Sequence, residues 1–172
     1  MKQVGFIGTG VMGASLVRHL IKAGYSVTVF NRSVEKARAL EKDGAKVASS
    51  LRETSEKADC VFTMVGFPQD VHGCYFGPGG ILESARENTL LIDLTTSRPS
   101  LARDIAKAAK DRNMLCLDCP VSGGDVGARN GTLALMIGGD RATFDKAVPI
   151  LKTFGTPNYM GPAGESSIIS KQ

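Results

Sequence analysis

The sequence predicts an α/β domain built on one doubly wound, mostly parallel sheet, and three observations carry the prediction. Short apolar runs alternate with amphipathic stretches along the whole chain, the order that parallel strands with crossover helices require. Several runs, among them CVFTMV at 60–65 and LLIDL at 90–94, are apolar with almost no alternation, as strands covered on both faces must be. The first run passes directly into a glycine-rich turn and then a helical pattern, VGFIGTGVMGASLVRHL at 4–20.

In chain order, strands are expected at 4–8, 26–30, 46–48, 60–65, 90–94, 115–118 and 133–137, with a short last one near 158–160. Between them, apolar positions recur with helical spacing at 12–23, 34–43, 99–110 and 141–154. Pro99 falls in the first turn of its helix, where a missing N–H costs little. Pro149 lies inside the last pattern and predicts a kink there. A short helix is expected at 126–130, with Asp125 either capping it or reaching a ligand. The GPGG stretch at 77–80 reads as a loop. No repeat or linker divides the 172 residues, which suffice for one domain with a sizeable core.

Hydrophobic residues make up 42% and charged residues 22%, the balance of a globular chain and not of a disordered one. The net charge of +4 is spread over helical patterns (Arg18, Lys22, Lys36, Arg38, Lys107, Lys110), which argues against nucleic acid as a partner. It still suits a small anionic ligand. No run approaches the roughly 18 apolar residues of a membrane span. The first apolar run is broken by glycines and followed by no cleavage site, so it reads as strand and turn, not signal peptide. Cys60, Cys74, Cys116 and Cys119 suggest no disulfide framework, and a reducing, cytoplasmic compartment is expected. Cys116 and Cys119 have redox spacing, but across a strand end they point to opposite faces and read as small buried hydrophobes. His19 and His72 fall in helical stretches away from the expected ligand edge and fit a surface position as well as any catalytic one. No metal is expected.

The stretch 4–13 carries Gly8-x-Gly10-x-x-Gly13 between a strand and a helix, the context that a Rossmann-type dinucleotide site requires. Gly8 permits the tight turn, Gly10 lets backbone approach a pyrophosphate, and Gly13 lets helix and strand pack closely. The helix start, Val11 and Met12 with Gly13, offers free N–H groups and a partial positive charge to phosphates. The second strand ends in VTVFNRS. An NAD site usually places an acid there for the ribose hydroxyls; this chain has Asn31, Arg32 and Ser33. A guanidinium grips a 2′-phosphate that a carboxylate would repel, so NADP(H) is expected over NAD(H). Asn31 and Ser33 equally suit the cap of the next helix.

Three motifs in order, GFIGTGVMGASLVRHL at 5–20, TTSRPS at 95–100 and LDCPVSGGDVGARNGTLALMIGGD at 117–140, resemble the β-hydroxyacid dehydrogenases. This family includes 3-hydroxyisobutyrate dehydrogenase and tartronate semialdehyde reductase, with 6-phosphogluconate dehydrogenase as a larger relative. The resemblance runs from about residue 3 to residue 164. It implies that Met64, Val65, Gly66, Thr95 and Thr96 lie by the nicotinamide half of the cofactor, although many relatives have Leu-Pro at 65–66. Thr95 and Thr96 also suit a plain turn before Pro99. It implies that Ser122, Gly123 and Gly124 hold the carboxylate of a small hydroxy acid; a hydroxyl beside bare backbone N–H groups suits that anion, and a glycine turn is the simpler alternative.

The resemblance further implies a catalytic lysine six residues after the GPAG turn at 161–164, with an asparagine four residues on. Ser170 stands at the lysine position and Lys171 is one later, about 100° around a helix. Lys171 is therefore the candidate base, out of the family's register. Residues 1–163 are expected to form the NADP-binding domain and 164–172 the start of an inter-domain helix. The family's C-terminal helical domain, through which the parent would form a homo-oligomer, is not in this sequence. The 172-residue chain alone is accordingly expected to turn over little. Two other readings stay open: a stand-alone NADP-binding module or sensor, and an imine reductase relative.

Overall fold

The computed structural model describes residues 1–66, 68–95 and 98–164. Among the described residues, nine strands and eight α-helices follow in the order β1(Gln3–Ile7), α1(Val11–Lys22), β2(Ser26–Phe30), α2(Val34–Arg38), β3(Lys46–Val47), α3(Leu51–Ser55), β4(Cys60–Thr63), α4(Pro68–Phe76), α5(Ile81–Ser84), β5(Leu90–Asp93), α6(Pro99–Asp111), β6(Leu115–Asp118), β7(Val121–Ser122), α7(Gly124–Asn130), β8(Leu133–Gly139), α8(Arg141–Leu151) and β9(Gly155–Gly161). The sheet order is β3-β2-β1-β4-β5-β6-β8-β7, with β9 on β8. The first six strands are parallel, and β8 runs antiparallel to β6. The expected α/β, Rossmann-type sheet of mostly parallel strands is what forms.

Alternate strand residues feed two cores, one on each face. Phe6, Cys60, Phe62, Leu90 and Ile92 pack with Leu16, Val17 and Leu20 of α1 and Phe144, Ala147 and Ile150 of α8. Val61 and Leu91 face the other way, against Val71 and Tyr75 of α4 and Ile105 and Ala109 of α6. Apolar burial on both faces is why β4 and β5 read as unbroken apolar runs. Aromatic packing centres the first core: Phe62 stacks on Phe6 at 5.7 Å and meets Phe154 edge-on at 5.8 Å.

Several elements differ from the sequence expectation. The pattern at 34–43 splits into α2 and a 3-10 turn at Glu41–Asp43, stopped by Gly44 at φ 104. Short α3 and α5 and the two-residue β7 were not foreseen, being too short to show a period. Helix α8 runs unbroken through Pro149 and ends two residues later, so the proline sits in its last turn. Asp125 is in the first turn of α7, whose N-cap is Gly123, and it makes no cap hydrogen bond. Ser33 does stand at the N-cap of α2, but its hydroxyl makes no cap bond. Cys119 and Cys116 fall in the two different cores, as opposite faces require; Cys119 is buried and Cys116 half-buried. His72 is exposed and lies 4.9 Å from the Phe76 ring. His19 is not a surface residue: it is half-buried and bonded to α7. Among the described residues no helix is long and apolar enough to cross a membrane.

Candidate functional site

The strand order turns at β1: the chain winds from β1 to β2 and β3 on one side and to β4, β5 and β6 on the other. Ligands of open α/β sheets bind at such a reversal, outside the carboxyl ends of the strands. The glycine turn sits there. Gly8 leaves β1 at φ 100, where an L side chain is strained, and a methyl on it would collide with the Met64 carbonyl. A methyl on Gly13 would collide with the carbonyl of Gly8 and approach Phe6 to 3.3 Å. Gly10 is different. It is the N-cap of α1, its backbone is extended (φ -68, ψ -171), and nothing lies within 4 Å of where its Cβ would stand. Gly8 and Gly13 are thus glycine for the protein's own packing. Gly10 leaves a cradle that only an outside group would fill, next to the free N–H groups of the α1 start.

Neighbouring loops are tied to this turn. The Asn31 side chain accepts the Thr9 N–H at 3.1 Å and donates to the Ser33 carbonyl at 2.9 Å. Its amide therefore braces the glycine turn against the end of β2, a role that residue spacing did not reveal. Arg32 is 91% exposed, and its guanidinium lies 3.6 Å from the Asp70 carboxylate, too long and wet for a strong pair. Met64 and Val65 are half-buried and Gly66 exposed. The Val65 N–H donates to the Thr95 hydroxyl at 3.1 Å, joining the loops after β4 and β5.

Beneath these loops lies a polar layer that the sequence reading missed. Thr63, Asp93 and Asp118 end β4, β5 and β6 in direct register, all buried. Thr63 donates to Asp93 Oδ1 at 2.9 Å, and the Thr95 N–H reaches the same oxygen at 3.1 Å. The Tyr75 hydroxyl of α4 is 3.1 Å from the Thr63 hydroxyl. Burial first, and then the Asp93 charge, push the Tyr75 phenol well above its ordinary pKa, so it stays a neutral hydroxyl. Asp118 Oδ1 accepts the N–H of Gly164 at 3.2 Å, and Gly138 opposite leaves room for the carboxylate: a methyl there would stand 2.6 Å from it. The sequence signal for this layer was a lone polar residue in the second half of each of three apolar runs.

Burial likewise holds the thiols protonated. Cys60, Cys116 and Cys119 are pushed up mainly by desolvation and Cys74 to about 11, which leaves no reactive thiolate for redox chemistry.

Ser122 pairs with Ala134 of β8; Gly123, at φ 132, is the N-cap of α7, and Gly124, at φ 61, is its first residue. All three are exposed, and nothing lies within 4 Å of a Cβ built at Gly124. The segment follows the carboxyl end of β6, on the same edge of the sheet as the glycine turn. Lys171 and Thr96 lie outside the described residues. A surface cleft of about 560 Å³ lies elsewhere, lined by Tyr75, Glu83, Asp111 and Met114 at the C-terminal ends of α4 and α6.

Residues 3–163 match the NAD binding domain of 6-phosphogluconate dehydrogenase. The chain belongs to that family. It is 49% identical over 164 residues to the uncharacterized oxidoreductase YkwC of Bacillus subtilis, covering 95% of this chain and 57% of the relative. It is 49% identical over 164 residues to a probable mitochondrial 3-hydroxyisobutyrate dehydrogenase-like protein of Arabidopsis thaliana, covering 95% and 49%. The chain thus spans about half the length of the curated relatives it matches. A Mycobacterium tuberculosis 3-hydroxyisobutyrate dehydrogenase structure with L-serine superposes with a TM-score of 0.94 at 36% identity, covering 99% of this chain and 58% of that one. An imine reductase of Myxococcus stipitatus with NADP+ superposes at 0.87 and a variant of it with NAD+ at 0.89, both at 25% identity and 99% of this chain, with 59% and 58% of theirs. The fold family therefore takes either nicotinamide dinucleotide, and the Gly10 cradle fits such a group.

Proposed function

We propose that this chain is the NADP(H)-binding domain of an oxidoreductase that moves hydride between the nicotinamide and a small β-hydroxy acid or its semialdehyde. The observation that carries the reading is Gly10: the one glycine of the fingerprint whose bareness serves no internal contact. Gly8, Gly10, Val11, Met12 and Gly13 would hold the pyrophosphate with backbone N–H groups and the positive end of α1. Met64, Val65, Gly66, Thr95 and Thr96 would line the nicotinamide side. When bound, the nicotinamide supplies or accepts the hydride. Ser122 with the bare backbone of Gly123 and Gly124 would hold the substrate carboxylate, and that anchor favours a hydroxy acid over an imine. The base is Lys171 or a group supplied elsewhere in the full-length protein, which we propose to be a homo-oligomer.

The preference for NADP(H) rests on charge at the end of β2. Arg32 is exposed and only loosely paired with Asp70, Ser33 is exposed beside it, and residues 31–33 carry no carboxylate. A phosphate held by a guanidinium gains about 1.5–3 kcal/mol, and solvent at this exposed site leaves the lower end of that range, about tenfold in Kd. Fluorescence titration should give tighter binding of NADPH than NADH, and Arg32→Asp should abolish the difference. Equal affinities in the unmodified protein, or a preference that survives Arg32→Asp, would refute the selectivity. A panel of small hydroxy acids with NADP+ and with NAD+, run on the full-length protein, tests the reaction. Turnover on the order of 1–1,000 per second with a β-hydroxy acid is expected; oxidation of amines alone would replace the reading.

A further inference from the structure

Helix α7 ends at Asn130, and the last carbonyls of a helix have no partner within it. Two of them meet one side chain that is remote in sequence. Nε2 of His19 lies 2.9 Å from the Ala128 oxygen and 3.0 Å from the Arg129 oxygen. Carbonyl oxygens only accept, so Nε2 carries the hydrogen and shares it between them. The bond to Ala128 is part-buried and the one to Arg129 is exposed; Ala128 itself is fully buried, and Gly131 turns the chain away at φ 71, where a Cβ would come 3.4 Å from the imidazole. His19 belongs to the last turn of α1. The C-terminal ends of α1 and α7 are therefore clamped together.

The other ends of the same two helices begin at the two loops that matter. Helix α1 starts from the glycine turn, with Gly10 as its N-cap. Helix α7 starts directly after Ser122 and Gly123. A helix is stiff over such lengths, so fixing the far ends fixes the loops relative to each other. We propose that His19 is a positioning residue: through α1 and α7 it sets the substrate-carboxylate loop at 122–124 against the cofactor's pyrophosphate turn. The inference rests on the reading that Ser122–Gly124 take the carboxylate. His19 touches neither ligand. The glycine turn is braced independently by the Asn31 side chain on Thr9 and by backbone bonds from Gly8 to Phe30 and from Met64 to Ile7, whereas the exposed 122–124 segment is joined to the sheet only where Val121 and Ser122 pair with β8, so the loss of the clamp falls on the substrate side.

The test uses the full-length protein with His19→Leu and His19→Gln. Glutamine presents an N–H close to the Nε2 position. His19→Leu should raise KM for the hydroxy acid about tenfold, the effect of 1.4 kcal/mol. It should leave kcat at saturation and the Kd for NADPH unchanged, and His19→Gln should restore KM. If the leucine variant does not fold, His19→Asn, whose amide falls short of the carbonyls, should show the same KM rise. An unchanged KM in the folded variant, a parallel rise in KM and in Kd for NADPH, or no rescue by glutamine would overturn the proposal. Ser122→Ala, measured alongside, separates the two claims. A raised KM there with an unchanged KM in His19→Leu sinks the clamp alone; an unchanged KM in Ser122→Ala sinks the carboxylate reading beneath it.

Discussion

Replacing Gly10 and Gly13 by alanine, one at a time, should give opposite outcomes although the two residues stand three apart in one motif. At Gly10 the backbone is extended and nothing in the protein meets a Cβ, so the folded state accepts alanine without a clash. Alanine lowers the entropy of the unfolded chain by about 0.4–1 kcal/mol, and its poorer N-cap preference offsets a similar amount. Net stability should stay within about 1 kcal/mol, a Tm change of about 2–4 °C at most for a domain of this size. The new methyl fills the cradle. It would push the pyrophosphate away from backbone donors, each worth about 1.5–3 kcal/mol to a charged group, so Kd for NADPH should rise about ten- to a hundredfold per donor lost. At Gly13 the methyl collides with the carbonyl of Gly8, and backbone cannot step aside as a flexible side chain can. Overpacking of this kind costs about 1–3 kcal/mol, a fall of about 2–12 °C. Thermal melts followed by circular dichroism, with fluorescence titration of NADPH on the same samples, separate the two. A Gly10→Ala protein that binds NADPH normally, or one that melts as early as Gly13→Ala, would refute the assignment of the cradle.

Thr63→Val keeps shape but removes the buried hydroxyl between Tyr75 and Asp93. It should cost about 1–3 kcal/mol, read as a Tm loss. Adding Tyr75→Phe should cost less than the two single changes summed, by about 0.5–3 kcal/mol; strict additivity would break the chain of hydrogen bonds. Asp59 carries a different signature. The N–H groups of Gln3 and Lys2, in that order of effect, hold its carboxyl below the ordinary range, with Arg86 adding less. A folded pKa depressed below the unfolded value of about 3.9 gives stability that is present above that value and is lost as pH falls through the folded pKa. Asp59→Asn should therefore lower Tm at neutral pH and converge on the parent in acid. A deficit that is constant across the same melts would contradict the ionic account.

Local chemistry was legible in the sequence, and long-range pairing was not. The glycine turn could be read because turn geometry, close packing and a free helix start are set by a few adjacent residues. Burial of β4 and β5 on both faces could be read for the same reason, from the loss of alternation along each run. What the tertiary structure alone decided depends on register and on crossings between distant segments. Asn31 looked like a ligand contact or a helix cap; its partner, Thr9, is 22 residues away on the neighbouring loop. Asp93 and Thr63 are isolated polar residues inside apolar runs, and only parallel pairing sets them side by side. His19 looked like a solvent residue because the carbonyls it holds are 109 and 110 positions on. Backbone preference and periodicity act over a turn or two of chain, whereas these contacts exist only once burial of two cores has fixed which strand end and which helix end meet.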